Sequence, residues 1–218
     1  MKRNFILSTV FAFFSVLLIV LIKLVDVAEL GPLGSKIGLS SLNGAVKKAL
    51  GESALFDKLT DALMLLAIAA VAVFALLGVI QLIRRKSLWK IDAEILCLGG
   101  AMVILAALYA FFEVVVVNYR PVLDEGKLAA SFPSSHTLLS VTVFLCLIFI
   151  LGSYIKKPSL LLASKIAAGA LGGISVIGRL LSGVHWFTDI LGGVLVSLAV
   201  VFLFAATLSL LKAKGKTE

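Results

Sequence analysis

Five residues in two segments of the sequence have side chains that could take part in nucleophilic catalysis. The chain has only two histidines, His136 and His185, and an arginine precedes each of them, Arg120 and Arg179. Asp189 follows His185 by four residues, so on a helix the two side chains share a face and the carboxylate can hold the imidazole in one tautomer. This is the arrangement that a histidine nucleophile requires.

The same segments contain groups suited to phosphoryl oxygens. The guanidinium groups of Arg120 and Arg179 are planar, permanently charged and matched to phosphate. Ser134 and Ser135 lie where a helix is expected to begin, and the free N–H groups of a helix start favour an anion. His136 is then available to protonate a leaving oxygen. Such a site acts by position and charge, without a metal ion.

The composition indicates which elements must position these residues. Apolar side chains make up 61% of the 218 residues and charged ones 15%, and the mean hydropathy is +1.15. A soluble domain has about 45–50% apolar and about 25% charged residues. The sequence therefore predicts an integral membrane protein. We ascribe the net charge of +8 to membrane orientation, and expect no nucleic-acid partner, because no basic stripe with interleaved aromatic residues is present.

Six stretches approach the length of about 20 apolar residues that spans a membrane. They predict an all-α bundle of six transmembrane helices, with residues 1–218 forming one membrane-embedded domain. The glycine pairs Gly172–Gly173 and Gly192–Gly193 are expected to let helices approach closely. The predicted spans are Phe5–Val25, Ala62–Ile83, Ala93–Val117, Thr137–Tyr154, Leu160–Ile177 and Ile190–Leu211.

The loops predict the orientation of the bundle. Lysines and arginines concentrate on the side of the two chain ends, which the positive-inside rule places in the cytoplasm. The two segments that contain the histidines then lie on the outer side of a bacterial-type cell membrane. The long first outer loop, roughly Gly31 to Asp61, has apolar residues spaced for short amphipathic helices at the interface, acting as a connector or a lid. These residues are Leu42, Val46, Leu55 and Leu59.

Each feature also has a simpler interpretation. An Arg-Pro pair commonly marks a turn, Ser134 could be a plain helix cap, and His185 with Asp189 could be an interfacial pair without a function. Their coincidence on one side of the membrane favours a functional site, because ionisable groups at membrane depth are costly.

Three short stretches within the two segments resemble the motifs of the type 2 phosphatidic acid phosphatase superfamily, which includes bacterial lipid phosphatases and vanadium-dependent haloperoxidases. The family pattern is Lys-x6-Arg-Pro, then Pro-Ser-Gly-His, then Ser-Arg-x5-His-x3-Asp. In order along the chain, the matching residues are Arg120 and Pro121; Pro133, Ser134 and His136; and Arg179, His185 and Asp189.

The resemblance implies a role for each matching residue. His185 would form a phosphohistidine and Asp189 would orient it, while His136 would protonate the leaving oxygen. The phosphoryl oxygens would be held by both arginines and by the helix start at Ser134 and Ser135. The resemblance implies neither a metal nor another cofactor.

Three positions depart from the family pattern. Ser135 replaces a glycine and keeps the backbone N–H, and Gly178 replaces the serine before the arginine. Glu113 stands where the family has its lysine, and a carboxylate cannot clamp a phosphate. We expect Glu113 either to position an arginine or contact the substrate head group, or else to form an ion pair that is only structural. Lys127 could supply the missing cation.

The sequence thus predicts a metal-independent lipid phosphate or pyrophosphate phosphatase working at the outer interface. Undecaprenyl pyrophosphate, phosphatidylglycerophosphate and phosphatidic acid are the substrates that the resemblance suggests, with membrane lipids as surroundings. Two alternatives remain open: a lipid phosphotransferase using the same residues, and a non-catalytic lipid-binding or transport protein.

Overall fold

The computed structural model describes residues 1–214, and nearly all of its regular structure is helical. All of the helices except the second are long and apolar enough to cross a membrane. This confirms the predicted all-α, six-span architecture and makes the chain a multi-pass membrane protein. The helices within the described residues are α1 (Lys2–Leu24), α2 (Ser40–Leu50), α3 (Ala54–Arg85), α4 (Ala93–Val114), α5 (Ser135–Tyr154), α6 (Pro158–Ser182) and α7 (Phe187–Lys214).

Helix α3 differs most from its predicted span, because it begins at Ala54 instead of Ala62. Its 32 residues measure about 48 Å, which exceeds the hydrocarbon thickness of about 30 Å. No glycine or proline lies between Gly51 and Ala62, so the helix extends on its N-terminal side beyond the apolar run. Leu55 and Leu59 therefore belong to α3, and the expected short interfacial helices reduce to α2 alone.

The ends of the other spans shift by fewer residues. Helix α4 ends at Val114 instead of Val117, where a run of four valines disfavours helix because β-branched side chains lose rotamer freedom. Helix α6 continues to Ser182, which brings Arg179 into its last turn. The loop between α1 and α2 also contains a two-stranded ribbon that the sequence did not predict, β1 (Ala28–Glu29) paired with β2 (Lys36–Ile37).

The core of the bundle is formed by α5 and α7. In the most apolar stretch of each helix, half of the residues of α5 and 44% of those of α7 are buried. The corresponding fraction is 17–22% for α1, α3 and α6. Helix α1 packs mainly on α7, while α5 packs on both α6 and α7, and α3 packs on α6. The peripheral helices therefore expose apolar side chains suited to lipid, and the two central helices begin with the candidate site residues.

The glycine pair at Gly192–Gly193 makes a close approach possible, as expected. A Cβ atom on Gly192 would lie 2.1 Å from the ring of Phe132, so only glycine lets the segment before α5 rest on α7. The expectation for Gly172–Gly173 is wrong. A Cβ atom on Gly173 would meet nothing within 4 Å, and one on Gly172 would make an ordinary contact with Phe144 at 3.9 Å.

Helix α2 is fixed to the start of α7 by a buried asparagine. The Asn43 side-chain amide donates to Thr188 Oγ1 at 3.0 Å, and its oxygen accepts from the Thr188 N–H at 3.1 Å. The chain enters α2 through Gly38, where a Cβ atom would lie 1.6 Å from the carbonyl oxygen of Ile22. These contacts place α2 over the end of the bundle that contains the two histidines.

Candidate active site

The loop between α4 and α5 is a narrow hairpin that presents side chains to the start of α7. The Arg120 N–H donates to Ala129 O at 3.0 Å, and the Ser131 N–H donates to Asn118 O at 2.9 Å. This pairing sets Asn118 and Ser131 side by side, and both are buried. Lys127 is exposed in the distal turn of the hairpin, and its backbone pairs with Asp124.

His185 lies between α6 and α7 and is only 3% exposed. Its Nδ1 atom is 3.0 Å from the Ser131 hydroxyl oxygen. Its Nε2 atom is buried and has no hydrogen-bond partner within residues 1–214. One ring nitrogen is therefore held in place while the other is available for a reaction.

The Asp189 carboxylate is fully buried at the start of α7 and is held by three donors. The Ser131 hydroxyl donates to Oδ2 at 2.5 Å, the Trp186 N–H donates to Oδ2 at 3.0 Å, and the Asn118 amide donates to Oδ1 at 3.2 Å. Because Ser131 gives its proton to Asp189, it accepts the proton of His185 Nδ1. A chain of hydrogen bonds thus links the imidazole to the carboxylate.

This geometry corrects two details of the sequence analysis. His185 and Asp189 do not share a helix face, because α7 begins at Phe187 and His185 precedes it. The carboxylate reaches the imidazole through Ser131 instead of directly. Sequence reasoning gave no role to Ser131 or Asn118, and the only signal for them is that each stands two residues before a motif.

The surroundings of His185 lower its pKa well below the ordinary value. Burial is the main cause, because it penalises the charged imidazolium. The nearby charges of Arg179 and Arg120 repel a proton on the same ring. His185 is therefore neutral at physiological pH, which is the form that can attack an electrophile.

His136 and Arg179 are held by carboxylates from the outer end of α3. His136 Nε2 lies 2.8 Å from Asp61 Oδ1, and Arg179 Nη1 donates to Asp57 Oδ1 at 2.5 Å. Arg179 Nη1 also lies 4.0 Å from Asp61 Oδ1, so the histidine and the arginine are close neighbours. His136 Nδ1 and Arg179 Nε are buried without partners within the described residues. No motif of the sequence includes either aspartate.

The start of α5 confirms the simpler interpretation of Ser134. Its hydroxyl accepts from the Thr137 N–H at 3.5 Å as the helix cap, and its own N–H donates to Asp189 O at 3.0 Å. Ser134 is therefore engaged as the helix cap, and its role as a substrate-binding residue stays a prediction. The N–H groups of Ser135 and His136 follow at the helix start, with no acceptor among residues 1–214.

Glu113 and Arg120 line one small cavity together with His185, Ser131 and Ser135. Arg120 Nε donates to Ala130 O at 3.3 Å. Glu113 is exposed in the last turn of α4, and no described residue forms an ion pair with it within 4.0 Å. The expected pairing of Glu113 with an arginine is therefore absent, and so is the purely structural ion pair.

A larger apolar groove of about 400 Å³ adjoins this cavity between α3, α4 and α5. Tyr109, Ser135 and Leu138 line both spaces. The groove ends at His136, and otherwise its walls are apolar side chains of the spans. These are Met64, Met102, Leu105, Ala106 and Leu139.

The donor set does not resemble a metal centre. Within residues 1–214, no group of three or more histidine, cysteine, aspartate or glutamate side chains is placed to hold a metal ion. Cys97 and Cys146 are free and buried inside the bundle. The site instead combines two histidines, two arginines and a helix start at one end of the six spans of a membrane protein.

The comparisons with known proteins agree with this description. The model of the PAP2 superfamily matches residues 116–212, the segment that contains the matching residues of all three motifs. This match agrees with the motif resemblance to the type 2 phosphatidic acid phosphatases.

The fold is similar to a solved structure described as the first transmembrane PAP2 type phosphatidylglycerolphosphate phosphatase from Bacillus subtilis. The sequences are 20% identical, the match covers 92% of this chain and 94% of that one, and the TM-score is 0.60. No curated protein matches the sequence at a significant level.

Proposed function

We propose that this chain is a lipid phosphatase that acts through a phosphohistidine on His185. The observation that carries the proposal is a set of three buried nitrogens without partners, His185 Nε2, His136 Nδ1 and Arg179 Nε. Unpaired buried polar atoms cost free energy, so in a native site they indicate a ligand. A phosphoryl group bound there would accept from Arg179 and from the N–H groups of Ser135 and His136, and would offer phosphorus to His185.

The reaction follows from these positions. The Nε2 lone pair of His185 attacks phosphorus, the ester P–O bond breaks, and the leaving oxygen takes a proton from His136. A water molecule then gives a proton to His136 and attacks the phosphohistidine, which releases inorganic phosphate and restores both rings. Arg120, Arg179 and the start of α5 stabilise the charge on the phosphoryl oxygens in both steps.

The groove beside His136 supports a lipid substrate. The leaving oxygen carries the apolar part of a lipid phosphate, and it must lie next to the residue that protonates it. The groove reaches His136 from within the membrane spans and is lined by apolar side chains. A hydrocarbon tail in this groove would deliver its phosphate to the nucleophile.

The first prediction concerns substrate and metal. Purified protein should release phosphate from phosphatidic acid, phosphatidylglycerophosphate or undecaprenyl pyrophosphate in the presence of EDTA, and vanadate should inhibit it. The kcat/KM for a lipid phosphate should exceed that for a water-soluble ester, because the groove contributes binding only to a tail. Strict dependence on Mg²⁺ or Zn²⁺ would reject the mechanism.

The same assay separates the two alternatives. A phosphotransferase would consume the lipid phosphate and pass its phosphoryl group to an added alcohol or lipid acceptor, with less inorganic phosphate than lipid product. A binding or transport protein would bind the lipid without turnover. Equal amounts of dephosphorylated lipid and inorganic phosphate would exclude both.

The second prediction concerns Glu113, which we propose contacts the substrate head group. Its exposed carboxylate lies at the cavity of His185 and has no arginine partner, so it is positioned to discriminate between head groups. Glu113→Lys should change the ratio of kcat/KM values between substrates severalfold, in favour of those with an additional phosphate. Glu29→Lys makes the same charge change on the exposed outer ribbon and should leave the ratio unchanged. Equal effects of Glu113→Lys on all substrates would remove the proposed role.

The third prediction concerns orientation, with the site outside the cell and both chain ends in the cytoplasm. Six spans place the two ends on one side of the bundle, and the basic residues concentrate there. In a variant lacking Cys97 and Cys146, a cysteine at Asp124 should react with an impermeant reagent on intact cells, and one at Lys214 should react only after lysis. The reverse pattern would place the site in the cytoplasm.

A further inference from the structure

The outer end of α3 supplies two carboxylates to the site, although no sequence motif includes them. Asp57 and Asp61 are four residues apart, so they lie on one face of the helix. Asp57 accepts from Arg179 Nη1 at 2.5 Å, and Thr60 Oγ1 lies 3.2 Å from the same nitrogen. Asp61 Oδ1 lies 2.8 Å from His136 Nε2. Each aspartate thus contacts one group that the proposed reaction uses.

We propose that Asp61 positions His136 as the acid of the reaction and that Asp57 positions Arg179 for the phosphoryl oxygens. This inference rests on the proposed function. Asp61 accepts the proton of His136 Nε2, so the proton that reaches the leaving oxygen comes from Nδ1. The step requires an imidazolium that carries both protons, and the Asp61 carboxylate in contact with the ring offsets part of the burial and of the Arg179 charge that disfavour this form. After the transfer, the neutral ring keeps its Nε2 proton, and Nδ1 can accept a proton from water.

The positions of the free nitrogens distinguish this role from a plug that blocks the site. Asp57 and Asp61 each occupy one nitrogen of their partner, while a second nitrogen, Arg179 Nε or His136 Nδ1, is buried and unpaired among the described residues. A carboxylate that stood in for the phosphoryl group would occupy the reacting nitrogens themselves. The contacts instead fix the two side chains through nitrogens other than the unpaired ones.

Gly178 explains how α3 comes close enough to make these contacts. A Cβ atom at this position would lie 2.9 Å from the Thr60 methyl carbon, so a side chain here would push α3 away from α6. Gly178 is the residue that replaces the serine of the family motif. The glycine that departs from the motif therefore permits the close packing that brings Asp57 to Arg179.

Asp61→Asn tests the proposal through its dependence on the leaving group. A leaving alkoxide needs an acid, whereas 4-nitrophenolate leaves without one. Asp61→Asn should lower kcat/KM for a lipid or alkyl phosphate by about tenfold to a hundredfold, and should lower that for 4-nitrophenyl phosphate much less. Asp57→Asn should weaken vanadate inhibition and lower kcat/KM for both substrates alike. Glu29→Gln, an exposed acidic residue of the same outer segment, should change neither value.

The outcomes separate failure of this inference from failure of the proposed function. A wild-type protein that releases no phosphate from any substrate would contradict the proposed function. An active wild type with an Asp61→Asn variant that loses the same factor on both substrates would contradict only the inference. Higher activity of either variant would show that the carboxylates plug the site. Thermal unfolding in detergent, compared with Glu29→Gln, identifies a loss that comes from misfolding.

Discussion

His185→Ala is expected to reduce phosphate release to background, a loss on the order of 10⁴-fold or more. His185 Nε2 is the attacking atom in the proposed reaction, and alanine removes the covalent route altogether. Labelling with radioactive substrate and rapid quenching at alkaline pH, where phosphohistidine survives, should detect phosphoprotein in the wild type and none in the variant.

His136→Asn is the matched control, because it changes the other histidine of the site and leaves the nucleophile. It should still form phosphoprotein from 4-nitrophenyl phosphate, whose leaving group needs no acid, while turnover of a lipid phosphate is slow. Near-normal phosphate release by a folded His185→Ala protein would mean that the nucleophile lies elsewhere.

The dependence on pH follows from the environment of His185. Burial and the neighbouring arginines lower its pKa, so the neutral ring persists as the pH falls through the ordinary histidine value of about 6.5. The limb that titration of His185 contributes to kcat/KM should therefore lie well below that value. An acidic limb at or above it that persists when Asp189, the other fully buried titratable group of the site, is replaced by asparagine would contradict this environment of His185.

Asp189→Asn should leave the protein folded and slow its turnover by about 10²–10⁴-fold. In the native site, protons run from His185 Nδ1 to Ser131 and from Ser131 to Asp189. Asparagine keeps an oxygen that accepts from Ser131 and from the Trp186 N–H but loses the negative charge. The positive charge that develops on the His185 ring as it attacks phosphorus is then no longer stabilised, and the new amide group faces the Asn118 amide that donates to Oδ1.

Ser131→Ala tests whether the carboxylate acts through the hydroxyl. It should also slow turnover, and the double variant with Asp189→Asn should be little slower than Asp189→Asn alone, because both changes break one chain of contacts. Ser140→Ala removes a similarly buried serine hydroxyl from α5 and should have no comparable effect. Near-normal activity of Ser131→Ala, with multiplicative losses in the double variant, would indicate that Asp189 acts without Ser131.

Much of the fold could be predicted from sequence, because a span of about 20 apolar residues has few alternatives in a membrane. The errors in the predicted spans lie at the ends of the helices, where apolar content stops being informative. Helix α3 extends on its N-terminal side through polar residues because nothing breaks it, and α4 stops early in a run of valines. The sequence correctly predicted that a helix begins next to Ser134, which is the N-terminal cap of α5.

Composition and local spacing were sufficient to predict the membrane class, the six spans and the order of the motif residues. Each of these depends on composition or on spacing within one short segment, which chain geometry controls. Three features emerge only when the chain is folded: Ser131 stands between His185 and Asp189, Glu113 has no arginine partner, and Asp57 contacts Arg179. Asp57 and Arg179 are 122 positions apart, and their contact depends on how closely α3 packs on α6. No local pattern encodes that distance, because it results from residues such as Thr60 and Gly178 meeting across two helices.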